Sequence, residues 1–130
     1  MKMFLDSNAY SDWQKFIAWS DEIDQASEVF MSVIVLGELR FGFGNGTKAA
    51  KNERELQKFL SSPYVRVVDV DEQTSQIYGE LRCFLKANGT PVPMNDIWIG
   101  AQAVQHKAEL LTSDMHFKHL PQVRVRWPNC

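Results

Sequence analysis

The sequence predicts a three-layer α/β/α domain built on a parallel sheet of about five strands. Three observations carry that expectation. Five short apolar runs, mostly β-branched and each of strand length, recur along the chain. Segments with helical periodicity fill the gaps between them. No repeat, low-complexity tract or linker divides the 130 residues, a length that suits one domain spanning 1–130.

The first run, Met3 to Leu5, is followed at once by Asp6-Ser7-Asn8. Tyr10, Trp13, Phe16 and Trp19 come next, and with Phe30, Phe41 and Phe43 they exceed what two short helices need for packing, so some are expected on the surface. Val29 to Val33 is the second strand, running into Ser32-Val33-Ile34-Val35-Leu36-Gly37-Glu38-Leu39-Arg40, which starts as a strand and turns helical. Gly42 to Thr47 reads as a turn. Lys48 to Leu60 carries apolar Leu56, Phe59 and Leu60 among charges and is an amphipathic helix. After a turn at Ser61 to Pro63, Val65 to Val68 is the third strand. Asp71 to Ala87 places Ile77, Leu81, Phe84 and Leu85 on one helical stripe, and Asn88 to Pro93 breaks it. Pro93, Asn95 and Asp96 are residues of a helix start, and Ile97, Ala101, Val104 and Ala108 follow at intervals of four, three and four, so this helix should lie against the sheet. Glu109 to Thr112 and Val123 to Val125, joined by a short turn, complete the strands. Strands separated by helices give parallel pairing with both faces covered.

Composition narrows the function classes. With 45% hydrophobic and 23% charged residues the chain is globular in type, not disordered or fibrous. A formal charge of −2 supplies no polybasic surface, so any nucleic-acid role must come from a local site. Cys83 and Cys130 make no disulfide framework and no zinc spacing. The start meets Asp6 too early for a signal peptide, and no stretch approaches the roughly 20 apolar residues of a membrane span. A soluble cytoplasmic protein is expected.

In open α/β sheets, ligands bind beyond the carboxyl ends of the strands. The residues there are acidic. Asp6 follows the first strand, Asp114 follows the fourth, and Asp96 and Glu38 sit near helix starts that face the same edge. Each acid alone has a plain structural explanation as a cap, a dipole partner or half of an ion pair. Together they are harder to explain so, because Glu38 interrupts the apolar run Val33, Ile34, Val35, Leu36, Leu39, Phe41. Four carboxylates gathered without a cation repel one another and destabilise the fold. A divalent metal resolves the conflict, and oxygen donors suit Mg²⁺ or Mn²⁺ more than zinc. Such a site suits phosphodiester hydrolysis.

Four motifs in order resemble the PIN-domain ribonucleases, most closely the VapC-type toxins of type II toxin-antitoxin modules. They are Phe4-Leu5-Asp6-Ser7-Asn8, then Leu36-Gly37-Glu38-Leu39-Arg40-Phe41-Gly42, then Val92-Pro93-Met94-Asn95-Asp96-Ile97-Trp98-Ile99-Gly100-Ala101, and Leu111-Thr112-Ser113-Asp114-Met115-His116-Phe117. The resemblance spans almost the whole chain. It implies a strand order of 3-2-1-4-5, Asp6, Glu38, Asp96 and Asp114 as metal-binding carboxylates, one or two Mg²⁺ ions, and RNA as the substrate. Ser7 stands where the family more often has threonine, with its hydroxyl retained. Ser7, Asn8, Asn95, Thr112 and Ser113 are candidates to orient the acids, or else caps and turn formers.

Setting those four acids aside reverses the sign of the formal charge. Arg40, Lys48, Lys51 and Arg54, with Lys58 beyond them, form a candidate RNA-backbone rail, although such a row is more often merely solvated. The family also implies an antitoxin whose tail occupies a hydrophobic groove, which makes Trp13, Phe16, Phe41 and Phe43 candidate partner contacts, and a homodimer. His116 and His119 are three apart but lack the further ligands of a zinc site, and neither they nor His106 reads as catalytic.

Two other readings stand beside the nuclease. A haloacid-dehalogenase-type phosphatase would use Asp6 as nucleophile, but that chemistry wants an aspartate two residues later, where Asn8 stands. A non-catalytic module could hold RNA or antitoxin on the same fold, which retention of all four acids argues against.

Overall fold

The computed structural model describes residues 1–129, so Cys130 lies outside the described residues. The strands are β1 (Lys2–Leu5), β2 (Glu28–Ser32), β3 (Val65–Val68), β4 (Glu109–Leu111) and β5 (Val125–Arg126). They form one parallel sheet in the order β3-β2-β1-β4-β5. The helices are α1 (Ser7–Gln14), α2 (Ser20–Gln25), α3 (Val33–Gly44), α4 (Ala49–Leu60), α5 (Glu72–Asn88) and α6 (Met94–Gln105), with a short 3-10 turn at Met115–His119.

The central strands are buried on both faces, as expected of a parallel sheet under two helical layers. Phe4, Leu5, Val29, Met31, Leu110 and Leu111 are fully enclosed. Registers that pair Leu5 with Met31 and with Leu111 end β1, β2 and β4 at a common level. The residues that follow each strand therefore emerge at one edge, beside the point where the strand order reverses.

Several boundaries differ from the sequence expectation. Val33 opens α3 and is not strand, because the Ser32 hydroxyl accepts from the Ile34 N–H and caps the helix one residue earlier. Gly42 and Gly44 remain helical, since α3 continues until Asn45. Pro93 is the N-cap of α6 and lies outside its first turn. Val123 is buried ahead of β5, whose pairing begins at Val125, and Thr112 falls just past β4. The stripe on α5 buries Leu81 and Leu85, with Ile77 and Phe84 half-buried.

The early aromatics divide. Tyr10, Trp19 and Phe30 are core residues, and Trp13 and Phe43 pack against the core while half-buried. Trp13 and Tyr10 both meet Phe59 of α4, at centroid distances of 4.8 and 5.4 Å. Phe16 and Phe41 are exposed, Phe16 almost fully, on backbone with φ of 59°.

Candidate metal centre

Asp6 leaves β1 and becomes the N-cap of α1, its Oδ1 accepting the Ala9 N–H at 2.8 Å. Its other oxygen accepts the Thr112 hydroxyl from the residue just past β4. That hydroxyl in turn accepts the Asp114 N–H at 2.9 Å. One fully buried threonine thus ties the acid after β1 to the acid after β4.

Asp114 caps the 3-10 turn through its Oδ1, which accepts from the His116 N–H at 2.9 Å. The His116 Nδ1 lies 2.8 Å from the same oxygen and 3.5 Å from Oδ2 of Asp96. One ligand atom from each of Asp96, Asp114 and His116 falls within 4.8 Å of the others, the spread of a metal-binding group. Asp96 is in the first turn of α6, and its neighbour Asn95 donates through Nδ2 to Glu38 Oε2 at 3.4 Å. Glu38 thereby stands at the rim, half-buried, on the exposed flank of α3.

Electrostatics record the crowding. Burial pushes the Asp6 carboxyl up to about 6, against the lowering effect of its bonds to Thr112 and Ala9, and the charges of Asp114 and Glu38 add to the rise. Asp96 is pushed up to about 7, first by burial and then by the Asp114 carboxylate beside it, with Glu38 contributing. Asp114 is held below the usual carboxylate range by the His116 N–H, the proton it shares with Asp96 and the His116 ring, which outweigh its own burial. Carboxylates that sense one another and, among the described residues, have no lysine or arginine partner are a site prepared for positive charge. The donor set, carboxylate oxygens with one imidazole at the edge, fits a hard divalent ion.

Of the candidate orienting residues, Thr112 and Asn95 touch acids. Ser7 and Asn8 line a cavity that Glu38 shares, and Ser113 is exposed. Arg40 donates through Nε and Nη2 to Glu53 at 3.0 Å each, an exposed pair that links α3 to α4. Lys51 lies 4.0 Å from Glu55, while Lys48 and Arg54 are exposed. The histidines do not act as a pair, for among the described residues only His116 joins the acid group. The sequence reading missed His116 as a member of the cluster. The signal was available in its position two residues after Asp114, where a capped turn brings a side chain back over its own cap.

The PIN domain family profile matches residues 3–123. Ribonuclease VapC4 of Mycobacterium tuberculosis is 34% identical over 95 residues, covering 73% of both chains. Toxin FitB of Neisseria gonorrhoeae is 30% identical over 122 residues, covering 86% of this chain and 87% of that protein. Among solved structures, VapBC2 from Rickettsia felis bound to a promoter DNA fragment superimposes with a TM-score of 0.86 at 26% identity, covering 99% of this chain and 100% of the other. Sheet order, acids at the switch point and these likenesses agree: the chain belongs to the PIN domain family and, within it, to the VapC group.

Proposed function

We propose that this protein is a divalent-metal-dependent endoribonuclease, the toxin of a type II toxin-antitoxin module. The observation that carries the reading is the gathering of Asp96 and Asp114 at one sheet edge, with Asp6 tied to Asp114 through Thr112 and Glu38 at the rim, where burial and the neighbouring carboxylates push Asp6 and Asp96 up. A relative named a ribonuclease supplies the substrate class. Asp6, Glu38, Asp96 and Asp114 would hold Mg²⁺ or Mn²⁺, and the bound ion would activate water and neutralise the scissile phosphate. Thr112 holds Asp6 and Asp114 in one arrangement, and His116 lies against both Asp96 and Asp114 at the edge of the group. An antitoxin partner and a homodimer, in the cytoplasm, complete the reading; the exposed Phe16 and Phe41 with half-buried Trp13 and Phe43 are its partner contacts. Lys48 and Arg54 remain available to the RNA backbone.

The phosphatase alternative is disfavoured by the state of Asp6. It is 5% exposed and held by the Ala9 N–H and the Thr112 hydroxyl, poorly placed for in-line attack on a phosphorus, and Asn8 stands where that chemistry wants a second aspartate.

The test incubates the purified chain with a total RNA pool in Mg²⁺ or in EDTA and maps the cut ends. Cuts that need metal and vanish in Asp6→Asn and Asp96→Asn are expected, a loss of at least about 10²-fold. Absence of cuts with antitoxin binding intact would favour the non-catalytic module, and phosphate release from small monoesters would favour the phosphatase.

A further inference from the structure

Beside the acids, α1, α3 and α4 line an open cavity of about 360 Å³ that shares Glu38 with the metal centre. That volume lies within the range of about 300–1,000 Å³ typical of small-molecule sites. Glu38 forms part of its wall, so the cavity opens directly onto the metal centre. The rest of its character comes from Asn8, Ser11 and Gln14 on α1, Phe43 on α3, and Asn52 and Glu55 on α4. Among the described residues, the side chains of Asn8, Ser11 and Asn52 make no hydrogen bond within the chain and leave donors and acceptors free. Glu55 is fixed differently. Gln14 Nε2 donates to its Oε2 at 2.9 Å, which holds the carboxylate in place while most of its roughly four lone-pair sites stay open.

This lining suits a phosphate poorly, because it sets one cation, Lys15, against Glu38 and Glu55, and the nearby Lys51 is already paired with Glu55 at 4.0 Å. It is right for a flat, uncharged heterocycle. Amides and a hydroxyl address the edge of a base, Phe43 offers an apolar face, and an anchored carboxylate accepts from ring N–H and amino groups. Single-stranded RNA is read in this way, by splaying a base into a pocket that bonds its Watson–Crick edge. Of the four bases, guanine presents an adjacent ring N–H and amino group to a carboxylate, whereas uracil flanks its one N–H with carbonyls.

We propose that the cavity between α1, α3 and α4 reads an unpaired guanine of the RNA substrate next to the scissile phosphate, with Glu55 as the discriminating acceptor and Asn52 beside it. The nature of the substrate rests on the nuclease reading; the recognition chemistry rests on the cavity.

Two measurements separate those claims. Oligoribonucleotides of one sequence, with guanine, adenine or uracil placed in turn at each position flanking the cut, are compared by kcat/KM for the intact chain, Glu55→Gln and Asn52→Ala. Guanine should be preferred over uracil by about tenfold to a hundredfold, the discrimination of one bidentate contact, and the ratio should collapse toward one in both variants. In parallel, guanosine and uridine without phosphate are titrated into metal-free protein and followed by side-chain amide NMR shifts. Guanosine should move the Asn8 and Asn52 resonances and uridine should not, with the effect lost in Glu55→Gln. Cleavage whose base ratio is the same in all three proteins, or the absence of guanosine shifts, would overturn the guanine site and leave the nuclease standing. Guanosine shifts without any cleavage would support the site and sink the nuclease reading. Variants that weaken capture of an antitoxin tail while base preference persists would make the cavity a peptide site and overturn the proposal.

Discussion

Thr112 shows how much one hydroxyl can organise. It donates to Asp6 and accepts from the Asp114 N–H, two partners that the sheet brings together from opposite ends of the chain. Thr112→Val keeps shape and burial but leaves the Asp6 oxygen and the Asp114 N–H unsatisfied, at a cost of about 1–3 kcal/mol in unfolding free energy. RNA cleavage should fall with it, because Asp6 would lose a bond that lowers its proton affinity and fixes its orientation. Thr112→Ser should recover most of both, as read by chemical denaturation and cleavage rate; full activity in the valine variant would show that the hydroxyl does not position the acids. The residue stood out in the sequence only as a neighbour of Asp114. Its decisive partner is 106 positions away, and no local pattern contains that information.

At the scale of elements, helix ends and close packing set the backbone conformations the chain must adopt. Helix α5 ends on Gly89, whose φ of 65° suits glycine, and α6 is followed by Lys107 in the same left-handed region with φ of 54°. The Ala108 N–H closes the latter end onto the Ala103 carbonyl at 3.0 Å, so a lysine occupies a position that most helices give to glycine. Lys107→Gly should therefore stabilise the protein by about 0.5–1 kcal/mol, since relief of the left-handed penalty exceeds the entropy that glycine adds to the unfolded chain. Gly89→Ala should destabilise it by about 1 kcal/mol through backbone conformation alone, because no neighbouring atom lies within 4 Å of the added carbon. Urea midpoints moving in opposite directions would bear this out, and a fall in both would refute the lysine argument. At Gly100 the limit is space. An added Cβ would sit 3.1 Å from Val123 Cγ2, so α6 packs so closely against the segment after Asp114 that any side chain at this position requires Val123 to give way by a few tenths of an ångström. Gly100→Val should cost about 1–3 kcal/mol by overpacking.

For the molecule as a whole, the metal centre makes stability depend on pH. Asp6 and Asp96 have folded values of about 6 and about 7 against an ordinary 3.8, so the folded state retains protons that the unfolded chain has released. Where the folded state binds more protons, stability falls as pH rises. The metal-free protein should accordingly be most stable near pH 4–5 and lose about 5 °C or more of melting temperature by pH 8. Of the lowered groups, Glu53 at about 2 through its bonds to Arg40 and Gln57, and Asp71 and Asp114 below the usual range, act in the acid region beneath that window; His106, held down by burial, favours the folded state as pH rises within it, one group against the two raised carboxyls. Saturating Mg²⁺ should raise the melting temperature more at pH 8 than at pH 5, because cations and protons compete for the same oxygens. A scanning calorimeter reads both trends; a flat profile from pH 4 to 8 with no metal effect would mean the acids do not form one titrating unit.

Local chemistry determined a good deal of this protein. Alternating apolar runs and amphipathic segments specify parallel strands under helices, and the placing of Asp6 and Asp114 after strands, with Asp96 at a helix start, follows from the same periodicity, because burial is dictated residue by residue. Tertiary structure decided which groups meet. That Arg40 pairs with Glu53, that Thr112 bridges two acids, that His116 turns back onto Asp96, and that α1, α3 and α4 leave a polar cavity beside Glu38 all depend on contacts between separate elements of the fold. Such contacts are fixed by packing and register, which a single chain of letters encodes only through the fold it adopts.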